Sequence, residues 1–160
     1  MNIMEKHITA ATEPPVVAVT LGWLGVVPFV ALSCFVAVAS VEIAAAARHA
    51  LVSYGAIILG FMGGVQWGLE MMLPDPTSGN QKGYAASVVP AFMAFAATLS
   101  PPLAALWILI AGFGGLLAYE LNRFRHGIGA RWYATLRWHL SLAVITALVV
   151  AALASLNKPL

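Results

Sequence analysis

Charge is what this sequence has least of. Its 160 residues include eight Lys and Arg and six Asp and Glu, 9% in all, where a soluble domain carries about 25%. So few charges cannot coat a water-facing surface, which excludes a soluble enzyme, a disordered chain and a nucleic-acid binder. The pI near 8.9 comes from a formal charge of only +2, so the chain has no broad basic patch. Cysteine is reduced to Cys34, which excludes an internal disulfide or a Cys-based metal site; in apolar surroundings a lone thiol is a small apolar group. The single Asp, Asp75, sits in a polar loop. His7, His49, His126 and His139 have no i,i+3 or i,i+4 relation, so no helical pair suits a metal. No glycine loop is followed by the Lys-Ser/Thr of a phosphate-binding motif. No catalytic set, metal or cofactor is expected.

What is abundant is apolar surface: 61% hydrophobic residues and a mean hydropathy of +0.89. This points to an all-α integral membrane protein. A bilayer core of about 30 Å needs roughly 20 apolar helical residues. Four stretches lack Asp, Glu, Lys and Arg: Val16–Val41, His49–Leu69, Gly83–Tyr119 and Trp138–Asn157. The third, as one helix, would run roughly 55 Å at about 1.5 Å per residue, and Ser100-Pro101-Pro102 interrupts it. Residues before proline avoid the helical region, so it divides into two. The reading is a single domain of five transmembrane helices, about 24–41, 50–71, 84–99, 102–121 and 136–156. Val16–Trp23 is expected as a lead-in before Pro28, and Ser40–Ala50 as a short interfacial connection. Ala37-Val38-Ala39 has the look of a signal-peptidase site, but no basic segment directly precedes its apolar run, so the span is read as uncleaved.

With five spans, Lys6, Lys82, Arg123, Arg125, Arg131 and Arg137 share one side, against Arg48 and Lys158 on the other. Positive charge stays in the cytoplasm, so the N-terminus is expected inside.

Gly60, Gly64 and Gly68 lie four apart on one helix face. Such a face lets a neighbouring backbone approach closely. The first reading is packing within the bundle, Gly64 included, with Gly112, Gly114 and Gly115 as partners; the second is an interface with another protein or a ligand cavity. Gln66, Trp67 and Glu70 follow at the same end. Glu120, Arg123, Arg125, His126, Arg131, Arg137 and His139 belong to that side too. A carboxylate at this depth needs a donor, and arginine is the best available. Glu70 is therefore expected to act as a clamp and not a proton carrier, with Arg137 its first partner and Arg123 its second. The alternative is a polar pocket for an anionic or quinone-like ligand. Trp132, Tyr133 and Trp138, interleaved with Arg131 and Arg137, read as an interfacial belt.

Three pieces carry a family resemblance: Gly25-Val26-Val27-Pro28-Phe29, the tract Tyr54–Gly68, and Trp132-Tyr133 with Leu136-Arg137. Together they resemble a small multi-pass membrane family, a "domain of unknown function", of bacterial inner membranes with a mitochondrial transmembrane relative. The resemblance runs from Pro14-Pro15 to the last helix. Gln66 stands where the family more often has His, and Gly60 where it more often has Ser, so a role played by that His is not carried over. The resemblance implies a topology and a bacterial inner-membrane location, and no reaction.

Three functions compete. The first is a non-enzymatic packing subunit or assembly factor of a larger inner-membrane, energy-transducing complex. Its partners would be lipid, other membrane subunits or a second copy. The second is a small carrier or channel acting as an oligomer, supported by the breaks at Pro90 and Pro101-Pro102. The third is a lipid- or quinone-binding enzyme using the polar cluster.

Overall fold

The computed structural model describes residues 14–72, 80–125 and 131–157. The loop around Asp75, His126, and the termini with Lys6, His7 and Lys158 lie outside them. The described residues form five helices: α1 (Val16–Val38), α2 (Val41–Met71), α3 (Asn80–Leu99), α4 (Pro102–Arg125) and α5 (Arg131–Asn157). All five are long and apolar enough to cross a membrane. The protein is a multi-pass α-helical membrane protein.

Several helices run further than expected. α1 starts at Val16 and continues through Pro28; proline deprives a single carbonyl of its partner, and an apolar setting leaves that helix no better conformation. The alanine-rich tract before Ala50 is the first two turns of α2, not a separate connection. α4 continues to Arg125 and α5 opens at Arg131. Both extensions carry arginine and aromatic residues suited to the headgroup layer.

In sequence order the helices form a closed ring, and α2 and α4 touch across its middle. The buried residues of α2 recur every three or four positions, from Ala44 through Leu51, Gly55, Leu59 and Gly63 to Glu70. Those of α4 do the same from Ala105 through Leu109, Gly112 and Phe113 to Glu120. The outer surface carries Ile57, Phe61, Phe92, Phe95 and Leu153, all more than half exposed, as a lipid-facing surface requires.

Lipid is as apolar as leucine, so close van der Waals approach has to hold such helices together. The glycines that provide it are not those of the Gly60–Gly64–Gly68 face. A Cβ on Gly55 of α2 would come within 2.8 Å of Leu109, and one on Gly112 of α4 within 2.5 Å of Leu59. Each central helix thus inserts a leucine into a glycine notch of the other. Gly63 faces Pro90 of α3, with the Ser87 carbonyl 2.6 Å from where a Cβ would stand, and Gly22 of α1 receives Leu140 of α5. Gly60, Gly64, Gly68, Gly114 and Gly115 have no atom within 4 Å of that position. The expected intramolecular contact at Gly64 is therefore corrected: the buried stripe of α2 passes through Gly63, one residue away and about 100° around the helix.

Gly112→Val should overpack the α2–α4 seam and destabilise the protein by about 1–3 kcal/mol. Gly64→Ala should cost nothing measurable. Unfolding in a mixed-micelle SDS titration measures both, and equal effects would refute this packing scheme.

Candidate functional site

Because α2 and α4 run parallel, their last turns arrive at the same end of the bundle, where α5 starts. Gln66 and Glu70 are four residues apart on α2, and Glu120 and Arg123 three apart on α4, so each pair continues its helix's buried stripe. Five polar side chains thereby leave the lipid and enter the protein. Gln66 and Glu120 are each 2% exposed, Glu70 3%, Arg137 6% and Arg123 9%.

Glu120 is the centre of the group. Its Oε1 accepts from Gln66 Nε2 at 2.6 Å, and its Oε2 accepts from Arg137 Nε at 2.7 Å. One carboxylate therefore ties α4 to both α2 and α5. One turn further out, Arg123 of α4 forms an ion pair with Glu70 of α2. Tyr119 completes this second layer: its hydroxyl accepts from Arg123 Nη1 at 3.1 Å and donates to Glu70 Oε1 at 3.4 Å. The Arg123 guanidinium also sits 5.6 Å from the centre of the Tyr119 ring. Gly83 of α3 lies against the Glu70 carboxylate, where a side chain would collide with it.

The second of the two expected partners is thus the one that meets Glu70. Glu70 is clamped by Arg123, and Arg137 belongs to Glu120. The reason is height: Arg137, nearly two turns into α5, stands level with Glu120, while Glu70 reaches a turn beyond Gln66. Gln66 turns toward α4 and not toward Glu70. His139 stands outside the cluster; it is exposed, and its Nδ1 lies 2.8 Å from the Thr135 carbonyl of its own helix. Trp67 is half exposed and packs on the Tyr84 ring of α3 at 4.9 Å. Gly60, Gly64 and Gly68 line the outer face of α2, away from the network.

Sequence reasoning missed two residues. Tyr119 is four positions before Arg123, a spacing that was readable. Arg48 is buried to 4% exposure at the opposite end of α2, in step with Ala44, Leu51 and Gly55. That spacing was the signal.

An apolar cavity of about 230 Å³ lies between α1, α2, α4 and α5. Phe29, Met62, Phe113 and Val144 are on its wall, with Gly22 and Gly25 on the α1 side. Arg137 and Ser141 also line it, and Arg137 Nη2 and Ser141 Oγ are buried without a hydrogen-bond partner.

Five apolar helices around a buried carboxylate–arginine network define a multi-pass membrane protein. Residues 14–153 match the family described as "Protein of unknown function (DUF3429)", and the chain belongs to that family. It is 30% identical over 151 residues to Transmembrane protein 69 of Xenopus tropicalis, an alignment covering 93% of this chain and 58% of that protein. The chain thus spans a little under three fifths of the relative's length. No solved structure matches it.

Glu120→Ala should strand the buried Arg137 cation and destabilise the bundle by about 3–5 kcal/mol. The double variant Glu120→Leu/Arg137→Met, which removes both charges, should recover most of that loss. Thermal unfolding in detergent decides it, and a double variant no more stable than the single would refute the coupling.

Proposed function

We propose that this protein is a non-enzymatic accessory subunit of a larger inner-membrane assembly, docking through the Gly60–Gly64–Gly68 face of α2. The observation that supports the reading is the emptiness of that face: no atom lies within 4 Å of a Cβ position at any of the three glycines. Interior glycines cost a helix about 1 kcal/mol each relative to alanine, and the bundle gains no contact from these three. A groove of small residues accepts the backbone of another transmembrane helix. Ile57, Phe61 and Trp67, at 67%, 63% and 45% exposure, stand beside it and supply apolar contact area. In this reading the Glu70–Arg123 and Glu120–Arg137 pairs are clamps and carry no proton. The arginine-rich end faces the cytoplasm by the distribution of basic residues, and the membrane is the bacterial inner membrane; the Xenopus relative is eukaryotic and supports multi-pass membrane character alone.

A photo-crosslinking residue replacing Gly64, in cells, should give one adduct with a second membrane polypeptide. The adduct should vanish with Gly60→Leu, and the same probe at exposed Phe92 should give none. An adduct of twice the chain's own mass would replace this reading with the self-associating carrier or channel. No adduct at all would make the face a lipid contact.

A second reading, lipid or quinone binding, is favoured by the 230 Å³ cavity with unpartnered Arg137 Nη2 and Ser141 Oγ on its walls. An apolar cavity of about 150 Å³ admits benzene, so a substituted ring fits this one. Ser141→Ala removes a hydroxyl that has no partner, so stability should hold or rise. Under this reading the variant should weaken decylubiquinone binding, measured by calorimetry in nanodiscs, about fivefold. Unchanged binding would remove the reading.

A further inference from the structure

The buried Arg48 makes no ion pair within the described structure, and Glu42, the carboxylate at its own end of α2, is exposed on the first turn. Its residue exposure is 4%, and its Nε is buried without a hydrogen-bond partner. The ion pairs among the described residues are those of Arg123 and Arg137, at the other end of α2. A buried guanidinium nitrogen without a partner is costly for a fold to hold. Removing the charge would be the simple remedy, so its presence calls for a compensating group.

The surroundings are shaped for one. Arg48 lines a cavity of about 100 Å³ between the first turns of α2, the last turn of α3 and the start of α4. Liquid water occupies about 30 Å³ per molecule, so the space equals about three waters or one tetrahedral oxyanion. Ala45, Ala97 and Ala105 keep it open, and His49 and Ser53 add polar groups to its wall. Pro102 and Ala105 also line it, so the first turn of α4 abuts the cavity. Pro102 carries no N–H and the Ala105 N–H donates to the Pro101 carbonyl at 2.9 Å, so at these two residues the helix offers the cavity the positive end of its dipole and no free donor. Thr98 and Ser100 of the α3 end also line the cavity, and their hydroxyls donate to Phe95 O at 2.7 Å and Ala96 O at 2.8 Å. Arg48 lies in the second turn of α2, about 10 Å along the axis from Val41, within reach of the headgroup layer.

We propose that this cavity binds a phosphate group through Arg48 and Ser53, beside the positive end of the α4 dipole. The guanidinium matches the geometry of phosphate oxygens, and a tetrahedral oxyanion accepts from three directions at once. The group is either a phospholipid headgroup or free phosphate. The site is separate from the Glu120 network and does not depend on the docking role of α2.

The full-length protein, delipidated in an uncharged detergent, tests this by thermal unfolding. The probes are dioleoyl phosphatidylglycerol, dioleoylglycerol with the same chains and no phosphate, and inorganic phosphate. A saturable rise in Tm is expected with a phosphate-bearing probe and not with dioleoylglycerol. Response to phosphatidylglycerol alone assigns a lipid headgroup; response to inorganic phosphate assigns the free anion. Arg48→Gln should abolish the rise, whereas Arg125→Gln, at an exposed arginine of the other end, should keep it. Ser53→Ala should raise the half-saturating concentration about fivefold by losing one hydrogen bond to a charged group, and it serves alone if Arg48→Gln does not fold. A response shared by dioleoylglycerol, retained in Arg48→Gln, or indifferent to Ser53→Ala would overturn the proposal.

Discussion

A carboxylate held inside apolar helices has to be met by donors, and Glu120 meets its requirement from two directions. Gln66 reaches it from α2 and Arg137 from α5. In a medium of low dielectric neither partner can drift away without exposing an unpaired polar group. Apolar packing alone tolerates small rotations of one helix against another; this three-way contact does not. It sets the angle of α2, α4 and α5 about their own axes, and the Glu70–Arg123 pair repeats the constraint one turn outward.

The rest of the packing agrees with that rotation. Once Gln66 faces Glu120, Leu59 faces Gly112 and Leu109 faces Gly55. Phe29 of α1 packs edge-on against Tyr54 and Phe113, at 5.1 and 5.8 Å between ring centres. Tyr54 in turn donates its hydroxyl to the Gly25 carbonyl at 3.0 Å. The chain of contacts from the polar end to the middle of the bundle has little room for slippage, because each leucine fills a notch that has no side chain.

The same rotation leaves two features outside the internal scheme. It turns Gly60, Gly64 and Gly68 to the surface, where a side chain would meet no atom of the bundle. It also turns Arg48 inward at the end where the described structure gives it no ion pair, Glu42 of the same end being exposed. The two lie at different heights and on different faces of α2.

Membrane character, the division at Ser100-Pro101-Pro102 and the gathering of carboxylates and arginines at one end were legible in the sequence, because hydropathy, proline chemistry and the cost of intramembrane charge act locally. That Glu70 is clamped by arginine was legible as well; which arginine was not. Pairing depends on the height at which α5 rejoins α4, and no local rule carries that information. The glycines show the same division. Gly63 and Gly64 are neighbours in sequence, Gly64 was the expected packing site, and about 100° of helix rotation separates a buried notch against Pro90 from an open outer face. Arg48 looked like an interfacial charge beside alanines, and the rotation of α2 alone placed it inside. The sequence by itself determined what kind of solvent this chain folds in and how many helices it offers. The tertiary structure decided which face of each helix is shared, because that choice is made jointly by donors, acceptors and notches on three different helices.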